Sequence, residues 1–106
     1  MTRSLFDFGR FSEPALLILV SLADGPKHGY AILQDVARTT GVRLGAGTLY
    51  GALARLEHHG LVEPTGRDER RRPYRLTGAG ATALRAQLTE LRELAGVGLR
   101  RLEAVS

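Results

Sequence analysis

A chain of 106 residues is long enough for one modest hydrophobic core and too short for two, which excludes most multidomain enzymes. With 43% hydrophobic and 25% charged residues it has the balance of a soluble globular domain, and no run reaches the roughly 18 apolar residues that a spanning helix needs, so neither disorder nor a membrane protein is indicated. A net charge of +4 leans weakly toward a polyanionic partner, while the absence of cysteine excludes a disulfide framework, thiolate catalysis and Cys-ligated zinc.

Lys27 is the only lysine, so arginine carries the basic excess. Guanidinium is the better fork for phosphate oxygens and guanine edges, although a GC-rich genome would produce the same bias. The N-terminus lacks a signal peptide's order of basic end, apolar run and small-residue cleavage site, so a cytoplasmic location is expected.

In chain order, Leu5, Phe6, Phe8 and Phe11 come first and hold all three phenylalanines within one short segment, which reads as docking onto the core or onto a second subunit. A capping hydroxyl at Ser12 and an early Pro14 open a helix over residues 15–23 that is apolar on most of its circumference. It is expected to be the central core helix, ended by Asp24-Gly25-Pro26. A second helix is expected over 28–40, with Ile32 and Val36, Leu33 and Ala37 as its apolar stripe and Gly41 as its stop. A third covers 46–59, with Leu49, Ala52, Leu53 and Leu56 inward and Gly60 closing it. Its opposite face carries Gly47, Gly51, Ala54, Arg55 and His58. A glycine at 51 costs about 1 kcal/mol relative to alanine in a helix interior, so either something needs the bare backbone or it is a tolerated blemish on a solvated face.

Residues 61–65 and 72–76 read as the two strands of a β-hairpin whose turn holds Arg67, Arg70 and Arg71 against Asp68 and Glu69, with Arg72 opening the second strand. With Arg75 the net charge over residues 66–75 is +3. Pro64 and Pro73 cannot donate ladder hydrogen bonds, which restricts the hairpin to a small ribbon. Thr77 then caps a last helix over 78–103, where Leu84, Leu88, Leu91, Ala95, Gly98 and Leu102 recur at spacings of four and three, the seam of a packed or coiled helix. Gly96 and Gly98 either allow close helix approach or mark fraying.

Three helices followed by a basic hairpin form the order of a winged helix-turn-helix, so the fold class expected is mainly α with a small β-hairpin and a long C-terminal dimerisation helix. Residues 1–77 are read as a winged-helix DNA-binding domain with an N-terminal apolar extension, and 78–106 as the dimerisation helix of the same compact unit. A helix in the major groove needs an outer face that does not hold it off the bases, which Gly47, Gly51 and Ala54 provide with Arg55 beside them. Thr48 and Tyr50 flank that stripe near the helix N-terminus, where hydroxyls and free N–H groups suit a phosphate. The arginines of the hairpin would lie on adjacent phosphates or reach the minor groove.

These residues also resemble a known family. Gly25-Pro26-Lys27-His28-Gly29-Tyr30, Gly47-Thr48-Leu49-Tyr50 with Leu53, Arg55-Leu56-Glu57 and Gly60-Leu61-Val62, and Tyr74-Arg75-Leu76-Thr77 with Gly80 are similar to the PadR family of bacterial transcriptional regulators, over about residues 15 to 80. The resemblance implies a winged-helix domain, dimerisation through the C-terminal helix, and repression relieved by a small molecule. It also implies Thr48, Tyr50 and Arg55 on the recognition helix and Arg70, Arg71 and Arg72 on the wing. The chain departs from the family's usual pattern at Gly45-Ala46, where Ser-Pro is common, and at Gly51, where Pro is common. Its single helix after the wing resembles the short subfamily.

The function expected is therefore a homodimeric, sequence-specific DNA-binding repressor acting on a pseudo-palindromic operator, the alternative being a winged-helix protein-interaction module. An apolar effector would enter between Phe6, Phe8, Phe11 and the leucines of the last helix, Leu84, Leu88, Leu91 and Leu102, unless these form a sealed dimer core. His28 is read as structural at the start of the second helix and Tyr30 as a packed aromatic. His58 and His59 point about 100° apart on a helix and make no metal site. No motif places a nucleophile, a phosphate loop or paired carboxylates, so neither catalysis nor a cofactor is expected.

Overall fold

The computed structural model describes residues 13–67 and 72–105. Its elements are α1 (Pro14–Leu22), α2 (Gly29–Thr40), α3 (Ala46–His58), β1 (Val62–Pro64), β2 (Tyr74–Leu76) and α4 (Gly78–Val105). The hairpin is antiparallel, pairing Val62 with Leu76, Glu63 with Arg75 and Pro64 with Tyr74.

Helix α1 is the hub, as its sequence requires: it packs on α2, α3, α4 and β2 at once. Leu17, Ile18, Leu19 and Leu22 are buried around it, against Ile32 and Val36 of α2, Leu49, Ala52, Leu53 and Leu56 of α3, Val62 of β1 and Leu84 of α4. Burying each such aliphatic side chain contributes about 1.5–3 kcal/mol, so this cluster is the main source of the fold's stability. The α1 N-cap is Glu13, with extended backbone and no side-chain cap bond, and Pro14 sits at the start of the helix, while the capping hydroxyl expected at Ser12 lies outside the described residues.

At the other end of α1 the Lys27 ammonium donates to the Ser21 carbonyl, one of the orphan acceptors of the helix C-terminus, and also pairs with Asp24. The buried Ser21 hydroxyl donates to Asp35 Oδ2 at 2.7 Å and ties α1 to α2. That bond, then the nearby charges of Lys27 and Arg38, holds the Asp35 carboxyl below its ordinary value against the opposing effect of burial. Helix α2 stops at Gly41, whose φ of 80° is a left-handed conformation that favours glycine.

The two hairpin prolines are accommodated by register. Tyr74 turns its N–H and C=O away from β1 and exchanges both with Lys27, at 2.9 and 3.0 Å, so a single residue of the α1–α2 connection pairs with the far edge of β2. By the alternation of an antiparallel ladder, Pro64 opposite Tyr74 then needs no donor toward β2. Pro73 accepts from both the Thr65 N–H and the Thr65 hydroxyl, closing the stem one step further out.

Thr77 begins α4 as expected: its hydroxyl accepts from the Gly80 N–H at 3.0 Å and donates to the Gly60 carbonyl. Gly80 lies hard against the Leu61 carbonyl, where a Cβ has no room. The helix runs unbroken through Gly96 and Gly98 for 28 residues, about 42 Å. Among the described residues its beginning rests on the domain, through the buried Gly80 and Leu84.

Candidate nucleic-acid interface

Helix α3 is fixed by its inner face, where Leu49, Ala52 and Leu53 are essentially inaccessible. At about 100° per residue this forces Gly47, Gly51, Ala54 and His58 outward, with Thr48 and Arg55 on one flank and Tyr50 and Glu57 on the other. Gly47, Thr48, Ala54 and Arg55 are exposed. A Cβ on Gly47 would meet nothing within 4 Å, and one on Gly51 only the Arg55 Nη1 at 3.8 Å, so the fold itself has no steric need for either glycine. The N-cap of α3 is Gly45, which supplies no side-chain cap, so the first N–H groups of the helix are open to an anion.

The two flanks differ. Tyr50 is 53% exposed but its ring tip stands over Gly29 at the start of α2, where an added Cβ would come within 2.5 Å of the hydroxyl. Tyr74 at the base of the hairpin has its phenol pushed up by burial, then by Glu57 and Tyr50, with Arg72 pulling the other way. One flank of α3 is thus locked against α2 and the hairpin stem, and the Thr48–Arg55 flank faces open space.

Arg72 is half-buried at the return of the hairpin, while Arg70 and Arg71 fall outside the described residues. Arg75 donates from Nε to Glu63 Oε1 at 2.6 Å across the strands, so the local excess of +3 overstates the charge free to meet a partner. Arg43 was not singled out by sequence reasoning; it stands exposed two residues before the α3 N-cap and adds a cation at that end. The signal available was an isolated arginine between two helices. Lys27 was given no structural role by the sequence, whereas its backbone holds the hairpin and its side chain closes α1.

His28 is the α2 N-cap by position, exposed and without a side-chain cap bond. Tyr30 corrects the expectation of a packed aromatic: it is 70% exposed, because Gly29, Ile32 and Val36 define the buried face of α2 and position 30 points away from it. His58 and His59 stack edge-on at 5.5 Å between centroids. Among the described residues no three His, Cys, Asp or Glu side chains converge, and no helix is long and apolar enough to cross a membrane.

Of the apolar residues assigned to a dimer or effector surface, Phe6, Phe8 and Phe11 lie outside the described residues. Leu84 is buried and Leu88 partly exposed; together with Ala23, Leu76 and Ala81 they line a groove edged by Arg85 and Arg92. Leu91 is half-buried and Leu102 is 65% exposed, far from that groove along the helix. Leu94, Leu99 and Val105 are exposed as well.

Residues 18–86 match the family described as Transcriptional regulator PadR-like family. Transcriptional regulator Rv3488 of Mycobacterium tuberculosis is 45% identical over 83 residues, 76% of this chain and 77% of that protein. An uncharacterized 37.1 kDa protein in transposon TN4556 of Streptomyces fradiae is 46% identical over 87 residues; these are 82% of this chain, which thus spans a quarter of that relative's length. A crystal structure of a PadR family transcription regulator from Clostridium difficile R20291 shares 29% identity at a TM-score of 0.74, covering 84% of this chain and 97% of that one. With the winged-helix order in place and a family match over most of its length, this chain belongs to the PadR-like family of transcriptional regulators, not to a family of enzymes.

Proposed function

We propose that the chain binds double-stranded DNA as a homodimer, with α3 in the major groove and the arginines of the hairpin on flanking phosphates, and that it represses transcription from a pseudo-palindromic operator. The observation that carries this reading is the outer strip of α3. Gly51 costs helix stability, and neither it nor Gly47 meets anything among the described residues that requires a glycine, while the strip they leave is open and flanked by Thr48 and an exposed Arg55. Gly47, Gly51 and Arg55 are the contacts proposed for the bases, with Thr48, Tyr50, Arg70, Arg71 and Arg72 at the backbone.

The dimer is proposed to form along α4. Continuing the four-three spacing from Leu84 through Leu88, Leu91, Ala95, Gly98 and Leu102 reaches Val105, and Leu94 and Leu99 widen the apolar face to about 140°. A face that broad, with leucines 61–65% exposed along the outer helix, supports burial against a second copy. Release by an apolar effector would act at the groove between Leu76, Leu84 and Leu88, next to the hairpin base. Binding to chromosomal DNA implies a cytoplasmic location.

The test is an electrophoretic shift with DNA from upstream of the chain's own gene, repeated across salt concentrations. A specific complex whose log affinity falls steeply with log salt is expected. No complex at low salt would refute the reading and favour a protein-interaction module.

A further inference from the structure

The Arg55 guanidinium lies back over the one interior position of α3 that has no side chain to hold it off. A Cβ on Gly51 would stand 3.8 Å from Arg55 Nη1 and meet no other atom within 4 Å. Arg55 has no ion-pair partner among the described residues, so its fork is displayed along the middle of the helix rather than spent within the chain. Around it the strip offers bare backbone at Gly47 and the Ala54 methyl, with the Thr48 hydroxyl and methyl on its flank and the exposed His58 imidazole at its far end.

What the strip lacks is equally informative. Bidentate recognition of adenine takes Asn or Gln, and the exocyclic amine of cytosine takes a carboxylate. Helix α3 contains no Asn, Gln or Asp, and its one acid, Glu57, is on the opposite flank beside Tyr74. Arginine suits the O6 and N7 of guanine, and small apolar groups suit the C5-methyl of thymine.

Resting on the DNA-binding reading above, we propose that α3 reads guanine through Arg55 and thymine methyls through the strip of Gly47, Gly51 and Ala54, with no bidentate contact to adenine and no carboxylate for cytosine. The half-site is a short guanine–thymine element.

The experiment selects duplexes from a random pool with the full chain, then remakes the selected site with deoxyuridine for thymidine and 7-deazaguanine for guanine, one position at a time, using both the native chain and Arg55→Ala. Uracil lacks only the methyl, and losing one buried methyl weakens binding about fourfold. Such losses are expected at thymines under α3 and absent at thymines elsewhere. The 7-deaza substitution removes the N7 acceptor and should weaken the native chain about tenfold. It should add nothing in Arg55→Ala, which already lacks the partner. A selected site indifferent to uracil, or one where 7-deazaguanine costs Arg55→Ala as much as the native chain, overturns the base assignment and leaves DNA binding standing. A pool that yields no enriched sequence at low salt overturns DNA binding itself.

Discussion

The two outer glycines of α3 set stability and DNA affinity in opposition, and replacing them with alanine separates the two. A Cβ at 47 enters open space and one at 51 touches only the movable end of Arg55 at 3.8 Å, so neither Gly47→Ala nor Gly51→Ala strains the fold. Gly51→Ala, in the helix interior, should gain the propensity difference of about 1 kcal/mol, which raises the melting temperature by roughly 4–8 °C for a domain of this size, and Gly47→Ala, in the first turn, should gain less. Against DNA the same atom stands about 1.5 Å further out than the bare backbone. Even a gap of about 1 Å forfeits up to half of each dispersion contact, and the displaced helix also loses its hydrogen bonds, so affinity should fall about tenfold or more. Thermal melts by circular dichroism and shift titrations on the same preparations read both quantities. Gly29→Ala and Gly80→Ala are the controls, since their Cβ atoms would press on Tyr50 and on the Leu61 carbonyl; both should melt lower than the native chain. A Gly51→Ala chain that binds as tightly as native refutes close approach at that face, and one that melts lower makes the glycine structural.

Replacing Arg70, Arg71 and Arg72 with alanine should flatten the slope of log affinity against log salt by about one unit for each phosphate no longer neutralised; an unchanged slope rules these arginines out as phosphate ligands. Leu99→Glu with Leu102→Glu, at positions 61% and 65% exposed, should leave the domain folded and sediment as monomer, and a persistent dimer would move the interface off α4. Because the Asp35 carboxyl is held below its ordinary value, chiefly by the Ser21 hydroxyl, its contribution is complete above the unfolded value of about 3.9 and is lost as pH falls through the folded one. Asp35→Asn should therefore be less stable than native at pH 7, with the gap narrowing below about pH 4 in urea unfolding; a gap constant with pH would exclude the charge as its source.

The helices were legible because their signals are local. Leu49, Ala52, Leu53 and Leu56 mark an inner face by spacing alone, and Gly41 and Gly60 mark ends through a left-handed backbone that glycine adopts freely. The bare outer strip of α3 followed from the same period. What was not legible depended on partners distant in sequence. Tyr30 turned outward because α2 seats on Gly29, and Arg75 was counted as wing charge when Glu63 across the ladder engages it. Nor does any spacing announce that Lys27 pairs with Tyr74, 47 residues on, since a single β-bridge leaves no pattern in either segment.

That bridge changes what the hairpin can tolerate. With Glu63 and Arg75 paired on one side of β2 and Lys27 bonded to Tyr74 on the other, the register of the stem is set from below, by the body of the domain, and not by the residues of its turn. Turn length and turn charge can then change from one relative to another with little cost to folding, because the core among the described residues is built from elements outside the turn. The part of the molecule proposed to touch flanking DNA is in this way insulated from the part that keeps it folded, and operator preference can diverge there without a matching repair in the core.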